Sequence, residues 1–111
     1  MPAVCQPDAV DMDEFGRIAS SLPMARHNRA GGLLRWHCHG RLIARQLDDN
    51  QVVVRTPFDT RDVLLHQFPE TFSVPRRFEK HMMVVVDLAN GDKGAIEDAV
   101  IAAWRLQTET D

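Results

Sequence analysis

The sequence predicts an α+β domain in two layers, an antiparallel sheet with helices packed on it, in the order α-β-β-β-α-β-β-α. Three observations predict it. Apolar residues recur at helical spacing near both ends, at Met12, Phe15, Ile18, Ala19 and Leu22 and again at Ile96, Ala99, Val100, Ala103 and Trp104. Between those stripes lie short runs that are β-branched or alternate in polarity, with Val52-Val53-Val54 and Met82 to Leu88 the clearest. Gly40 and Asp48-Asp49-Asn50 separate the runs in the middle of the chain, as turns do in a β-meander.

Taken in order, Asp11 offers a carboxylate to the first orphan N–H groups of a helix, and Glu14 sits in its first turn, where negative charge is favourable. Pro23 closes that helix, giving a span of 11–22. From Met24 to Gly32 the periodicity is lost and Arg26, His27, Asn28 and Arg29 lead into Gly31-Gly32, which reads as a linking loop. Three strands follow at 33–39, 41–47 and 51–56. Pro57 and Asp59 open a second helix, Asp59 as its cap, with Val63, Leu64 and Phe68 on its buried side and Pro69 at its end. Phe72 to Pro75 forms a short strand and Arg76 to Lys80 a polar turn. The next strand places Val84, Val86 and Leu88 on one side and Met83, Val85 and Asp87 on the other. Asp92 caps the last helix, which ends near Leu106.

The chain has 111 residues, enough for one core and no second one. A single domain over 11–107 is expected, with a flexible start at 1–10 and a frayed end at 108–111. The longest apolar run, Ala99 to Trp104, is far short of the ~20 residues of a membrane span, as is Met82 to Val86. No export signal is apparent in the first ten residues, so a cytoplasmic location with no membrane contact is expected. Cys5 and Cys38 are too few for a disulfide scaffold and are expected as free thiols.

Charge is the most informative feature. The formal net charge is -3, yet between Phe15 and Leu47 there is no acid, while Arg17, Arg26, His27, Arg29, Arg35, His37, His39, Arg41 and Arg45 all fall there. If Leu34, Trp36, Cys38, Leu42, Ala44, Val52 and Val54 point inward, a period of two sends Arg35, His37, His39, Arg41, Ile43, Arg45, Val53 and Arg55 outward together. One sheet face is then basic, with helices on the other. Such a face can recognise phosphates, since Arg presents a bidentate fork and clustered cations raise the local potential. It can equally be a solvated face whose charges discourage edge pairing. Ile43 and Val53 on the same face could serve a dimer contact. A second basic cluster, Arg76, Arg77 and Lys80, lies in the turn before the strongest strand and reads either as an anion-holding loop or as a solvated turn.

Other chemistry finds little support. His37 and His39, two apart on a strand, share a face, but Cys38 points away and no Cys-x-x-Cys or His-Glu-x-x-His run completes a metal site, so no metal and no cofactor are expected. Ser20, Ser21 and Ser73 lack a nucleophile-elbow context. Gly91-Asp92-Lys93-Gly94 lacks the glycine spacing and the Lys-Ser/Thr end of a phosphate loop. No catalytic motif emerges.

Several pieces in this order resemble the MmcQ/YjbR family of small bacterial proteins, over nearly the whole span from Asp11 to Leu106. They are the opening helix ending in Leu22-Pro23, Gly40-Arg41-Leu42-Ile43-Ala44, Pro69-Glu70-Thr71-Phe72 with Pro75, Val84-Val85-Val86-Asp87-Leu88, and Ala103-Trp104-Arg105-Leu106. The resemblance implies the same α-β-β-β-α-β-β-α arrangement, an architecture similar to type III secretion chaperones and compared with a double-wing DNA-binding motif. It also implies DNA binding, by fold-level analogy. The chain departs from the family at His81-Met82, where many members carry a Gly-Trp or similar aromatic pair, and at Arg41-Leu42-Ile43, where they carry Lys-x-Phe.

Three functions compete at this point. One is a non-catalytic binding module whose basic face, Arg35, His37, His39, Arg41, Arg45 and Arg55 with Arg76, Arg77 and Lys80, meets nucleic acid or another polyanion. Another is a protein-interaction module of chaperone type, monomeric or homodimeric, acting through the exposed sheet or a dimer contact at Ile43 or Val53. The third is a small-ligand protein or enzyme with a pocket between the first helix, the Arg26 to Arg29 segment and His81.

Overall fold

The carboxylate of Asp11 accepts the N–H of Glu14 at 2.8 Å and so starts the first helix. This helix, α1, spans Met12–Ser20 in the computed structural model, which describes residues 10–109. The expectations for the chain start, Cys5 included, and for residues 110–111 lie outside those residues. Phe15 and Ala19 give α1 its buried stripe, and the Phe15 ring meets Trp36 edge-on with centroids 5.0 Å apart.

The expected elements follow in the expected order, with one addition. Residues 25–30, read from the sequence as part of a loop, form strand β1 (Ala25–Ala30). Gly31 and Gly32, at φ of 60° and 83°, make a two-residue hairpin turn into β2 (Leu33–Cys38), and His39 and Gly40, at 56° and 77°, make another into β3 (Arg41–Gln46). Then come β4 (Gln51–Arg55), α2 (Phe58–Gln67), the two-residue β5 (Phe72–Ser73), β6 (Met83–Asp87) and α3 (Lys93–Glu109). The sheet order is β1-β2-β3-β4-β6-β5, antiparallel throughout. β1 was illegible because it is an edge strand. With one neighbour and little burial it needs no apolar alternation, and its Arg26, His27 and Arg29 discourage further pairing.

Two smaller expectations also change. Asp59 accepts from Thr60 instead of capping α2, whose N-cap is Pro57. Val63 is 52% exposed, and Leu65 packs on the core beside Leu64 and Phe68. Leu64 and Phe68 fix the helix face, and of the two residues flanking Leu64 the larger turns inward. At the other end, Asp92 caps α3 as expected, accepting the N–H of Ala95 at 2.9 Å. The helix continues beyond Leu106 because its last turns are tied down: Gln107 Nε2 donates to the Leu42 carbonyl at 2.7 Å, and Trp104 Nε1 to that of Pro23 at 2.9 Å.

The three helices bury one sheet face, where Trp36, Val52, Val54, Val84 and Val86 meet Phe15, Leu64, Ile96 and Val100. Ile43 belongs to this core too, against the expected parity. The β2–β3 register passes from Trp36↔Ala44 to His37↔Leu42, so Ile43 is one residue extra, a β-bulge. Ile43 and Ala44 are both fully buried as a result.

The opposite face is half covered. Segment 74–83, with a 3-10 turn at Arg76–Phe78, lays Phe78 over Val53 and Val85, and Leu47, Val74 and Met83 pack around them. Arg61 of α2 holds this cover by donating to the carbonyls of His81 at 2.7 Å, Glu79 at 3.2 Å and Phe78 at 3.3 Å. Val53 therefore points outward as expected but is buried, and is no dimer contact. The Ile43 assignment has a direct check: Ile43→Ala should lower stability in urea denaturation by about 2–5 kcal/mol, the cost of a core cavity. An outward isoleucine would give a change within about 0.5 kcal/mol.

Candidate anion-binding face

On a sheet, residues opposite one another share a face, so the register defines the rows of the open side. One row runs Asn28, Arg35, Arg45, Val53, Val85, Ser73 across all six strands. The next holds Arg26 and His37. Val53 and Val85 lie under Phe78, which leaves the β1–β3 half of the face open, with Arg26, Asn28 and Arg35 exposed.

Arg35 and Arg45 are direct cross-strand partners. Like charges placed opposite each other are unfavourable, and among the described residues neither guanidinium has an ion-pair partner. Arg45 also lies 6.0 Å from the ring centroid of Phe78, and Arg77 lies 4.8 Å from the same centroid, so one ring steers two guanidinium groups toward the open half of the sheet. Arg55 occupies the outward side of β4 opposite Met83. Its Nε is buried without a hydrogen-bond partner among the described residues.

Not every expected residue joins. The bulge reverses parity at the start of β3: Arg41 pairs with buried Cys38 and turns to the helix side. His39 sits in the hairpin turn with positive φ, so His37 and His39 do not share a face through strand alternation. Among the described residues no group of three or more His, Cys, Asp or Glu could hold a metal ion. Arg76, Arg77 and Lys80 are exposed on and just after the 3-10 turn, at the border of the open half. Arg26 joins the face although the sequence placed it in a loop; the available signal was Gly31-Gly32 read as a hairpin turn. Arg61, also missed, contributes by fixing segment 74–83.

The acidic partners lie in the other layer. Glu14 pairs with Arg17 at 2.6 Å and with Lys93 at 3.3 Å, joining α1 to the first turn of α3. The hydrogen bond from Arg17, then that from Lys93, holds the Glu14 carboxyl below the usual carboxylate range, and Glu14 in turn raises Arg17. A lowered folded-state value means that this contribution is present at neutral pH and is lost as pH falls through it. The pocket expected between α1, the Arg26 to Arg29 segment and His81 exists in part: a groove of about 410 Å³ runs between α1 and β1–β2, lined by Arg17, His27, Arg29 and Trp36 and not by His81.

No family model matches the chain, and neither a curated protein nor a solved structure matches it. No helix among the described residues is long and apolar enough to cross a membrane.

Repulsion between the central pair predicts an asymmetry. Arg35→Thr should raise stability by about 0.2–1 kcal/mol in chemical denaturation, because it removes a like-charge pair and leaves a good strand residue. Arg45→Thr should gain less, because it also gives up the contact with Phe78.

Proposed function

We propose that this protein is a non-catalytic binding module of the MmcQ/YjbR type that holds a polyanion, nucleic acid first among them, on the open half of its sheet, and that it acts in the cytoplasm. The observation that carries this reading is the cross-strand Arg35–Arg45 pair, without a carboxylate partner among the described residues. A face kept only for solubility is served by mixed charge. Here cations sit opposite one another, flanked by Arg26, His37 and Arg77, and a phosphate chain would relieve their repulsion.

Contact through phosphates fits the face better than contact through bases. Phe78 is its aromatic residue, and it is 8% exposed with Arg45 and Arg77 beside its ring, so it offers no free stacking surface. The chaperone-type alternative, acting through the exposed sheet or a dimer contact, loses its dimer contact at Ile43 or Val53, since both are buried, and keeps only the exposed sheet.

Fluorescence anisotropy with a labelled 20-base-pair duplex, titrated at several salt concentrations, tests the proposal. Three or four phosphate contacts from Arg26, Arg35, Arg45 and Arg77 should give a log–log salt slope of about -2.7 to -3.6. Each Arg→Ala substitution among them should reduce the slope by about 1, with similar losses for unrelated sequences. Affinity that is flat with salt, or unchanged in the Arg35→Ala/Arg45→Ala double variant, would overturn the proposal.

A further inference from the structure

β1 is the long free edge of the sheet, since β5 at the other edge has two residues. It is exposed at 26–29, contains no proline and pairs with β2 without a bulge, so charge is the one device that blunts it.

Its outward backbone groups follow from the turn. In a two-residue hairpin the residues flanking the turn, here Ala30 and Leu33, form a hydrogen-bonded pair, and bonded and open pairs then alternate along the ladder. Asn28 and Arg26 therefore bond to β2, while Arg29, His27 and Ala25 turn their N–H and C=O groups away from it. Two bonds agree with that alternation. Leu34 N–H, opposite Arg29, leaves the β1–β2 ladder and donates to Gln46 Oε1 at 3.0 Å, and Ala25 N–H donates outward to the Leu22 carbonyl at 3.1 Å. Among the described residues the outward backbone groups of His27 and Arg29 have no partner.

We infer that this edge takes up an extended acidic peptide as an added strand, at a site separate from the basic sheet face. Antiparallel addition gives two bonds to each of His27 and Arg29, about four in all. Charge chooses the occupant. Register puts Arg26 on the open face, opposite His37, and puts His27 and Arg29 on the helix side, opposite Trp36 and Leu34. Arg26 and Arg29 thus make the edge cationic on both sides, and neither β1 nor β2 holds an acid. Arg29 Nη1 donates to the Gly32 carbonyl at 3.1 Å, which keeps this guanidinium beside the strand and leaves its other donors for a carboxylate. A second copy is the wrong occupant, because two antiparallel β1 strands would crowd these cations against their own copies. The charge that keeps copies apart is the charge that admits a strand bearing Asp or Glu on both faces.

Titration of the isotope-labelled protein at about 20 mM salt tests the site, using the peptide Glu-Thr-Glu-Glu-Glu-Thr-Glu-Glu blocked at both ends. Saturable amide shifts centred on 26–29 are expected, with a dissociation constant below about 1 mM and slower hydrogen exchange at His27 and Arg29. The same peptide with lysine for glutamate should not bind. Nor should the acidic peptide N-methylated at every residue, which keeps its charge and loses its backbone donors. His27→Pro removes an outward donor without breaking a ladder bond, so it should abolish binding with little change in melting temperature. The Arg35→Ala/Arg45→Ala variant should bind the peptide within about twofold of the parent, so a failed duplex titration and a failure here are separate results. The inference is overturned if no saturable shift appears, if shifts centre on Arg35 and Arg45, if the lysine or N-methylated peptide binds equally well, or if folded His27→Pro retains binding.

Discussion

Val53 and Val85 face each other across β4 and β6 on the side of the sheet that the helices do not cover, and the architecture follows from keeping that pair dry. Both strands are apolar on both faces, through Val52-Val53-Val54 and Val84-Val85-Val86, so a single helical layer cannot bury them. The second cover is segment 74–83, short and largely without regular structure, with Phe78 as its apolar contact. Its own hydrogen bonds are local turn contacts, such as Phe78 N–H to the Pro75 carbonyl and Glu79 N–H to that of Arg76. Arg61 ties the segment to α2 by donating to the carbonyls of Phe78, Glu79 and His81, with the ring of Phe58 4.8 Å away. This arrangement divides the outer face: apolar and covered over β4 and β6, charged and open over β1 to β3.

Much of the fold was legible because its signals are local and mutually consistent. Asp11 and Asp92 cap the helices they precede, and the parity of Met83 to Leu88 is as its alternation indicates. The failures share a cause, which is that a neighbour unknown to the sequence overrides a local rule. Period-two counting runs straight through β3, but the bulge inserts Ile43 and reverses Arg41, because the strand must at once pair with β2 and present bulk to the helices. Val53 followed its parity and was still buried, since nothing local announces that Phe78 will arrive from 25 residues further on. β1 went unread because an edge strand with one partner owes little to apolar pattern.

The candidate face was half legible for the same reasons. Arg35 and Arg45 come together because they lie on the near side of the bulge, where counting holds. His39 and Arg41 drop out because they lie at or beyond it. Arg26 enters through β1, and Arg77 through Phe78, two routes that only tertiary structure supplies. The net result is a tighter cluster than alternation alone would give. Among the described residues the carboxylate that forms ion pairs, Glu14, does so in the helical layer.

Two positions in this chain depart from what stability alone would favour, and they depart in different ways. Arg35 opposite Arg45 is an electrostatic conflict that either a threonine or a carboxylate would relieve. Gly16 is a conformational one: alanine would fit against Trp36 and strengthen the helix. Sequences are otherwise locally consistent with their folds, and places where they are not tend to be functional or strained sites. The two conflicts sit on opposite sides of the sheet, the arginine pair on the open face and Gly16 against Trp36 in the helical layer. The sheet separates them, so relieving one leaves the other in place.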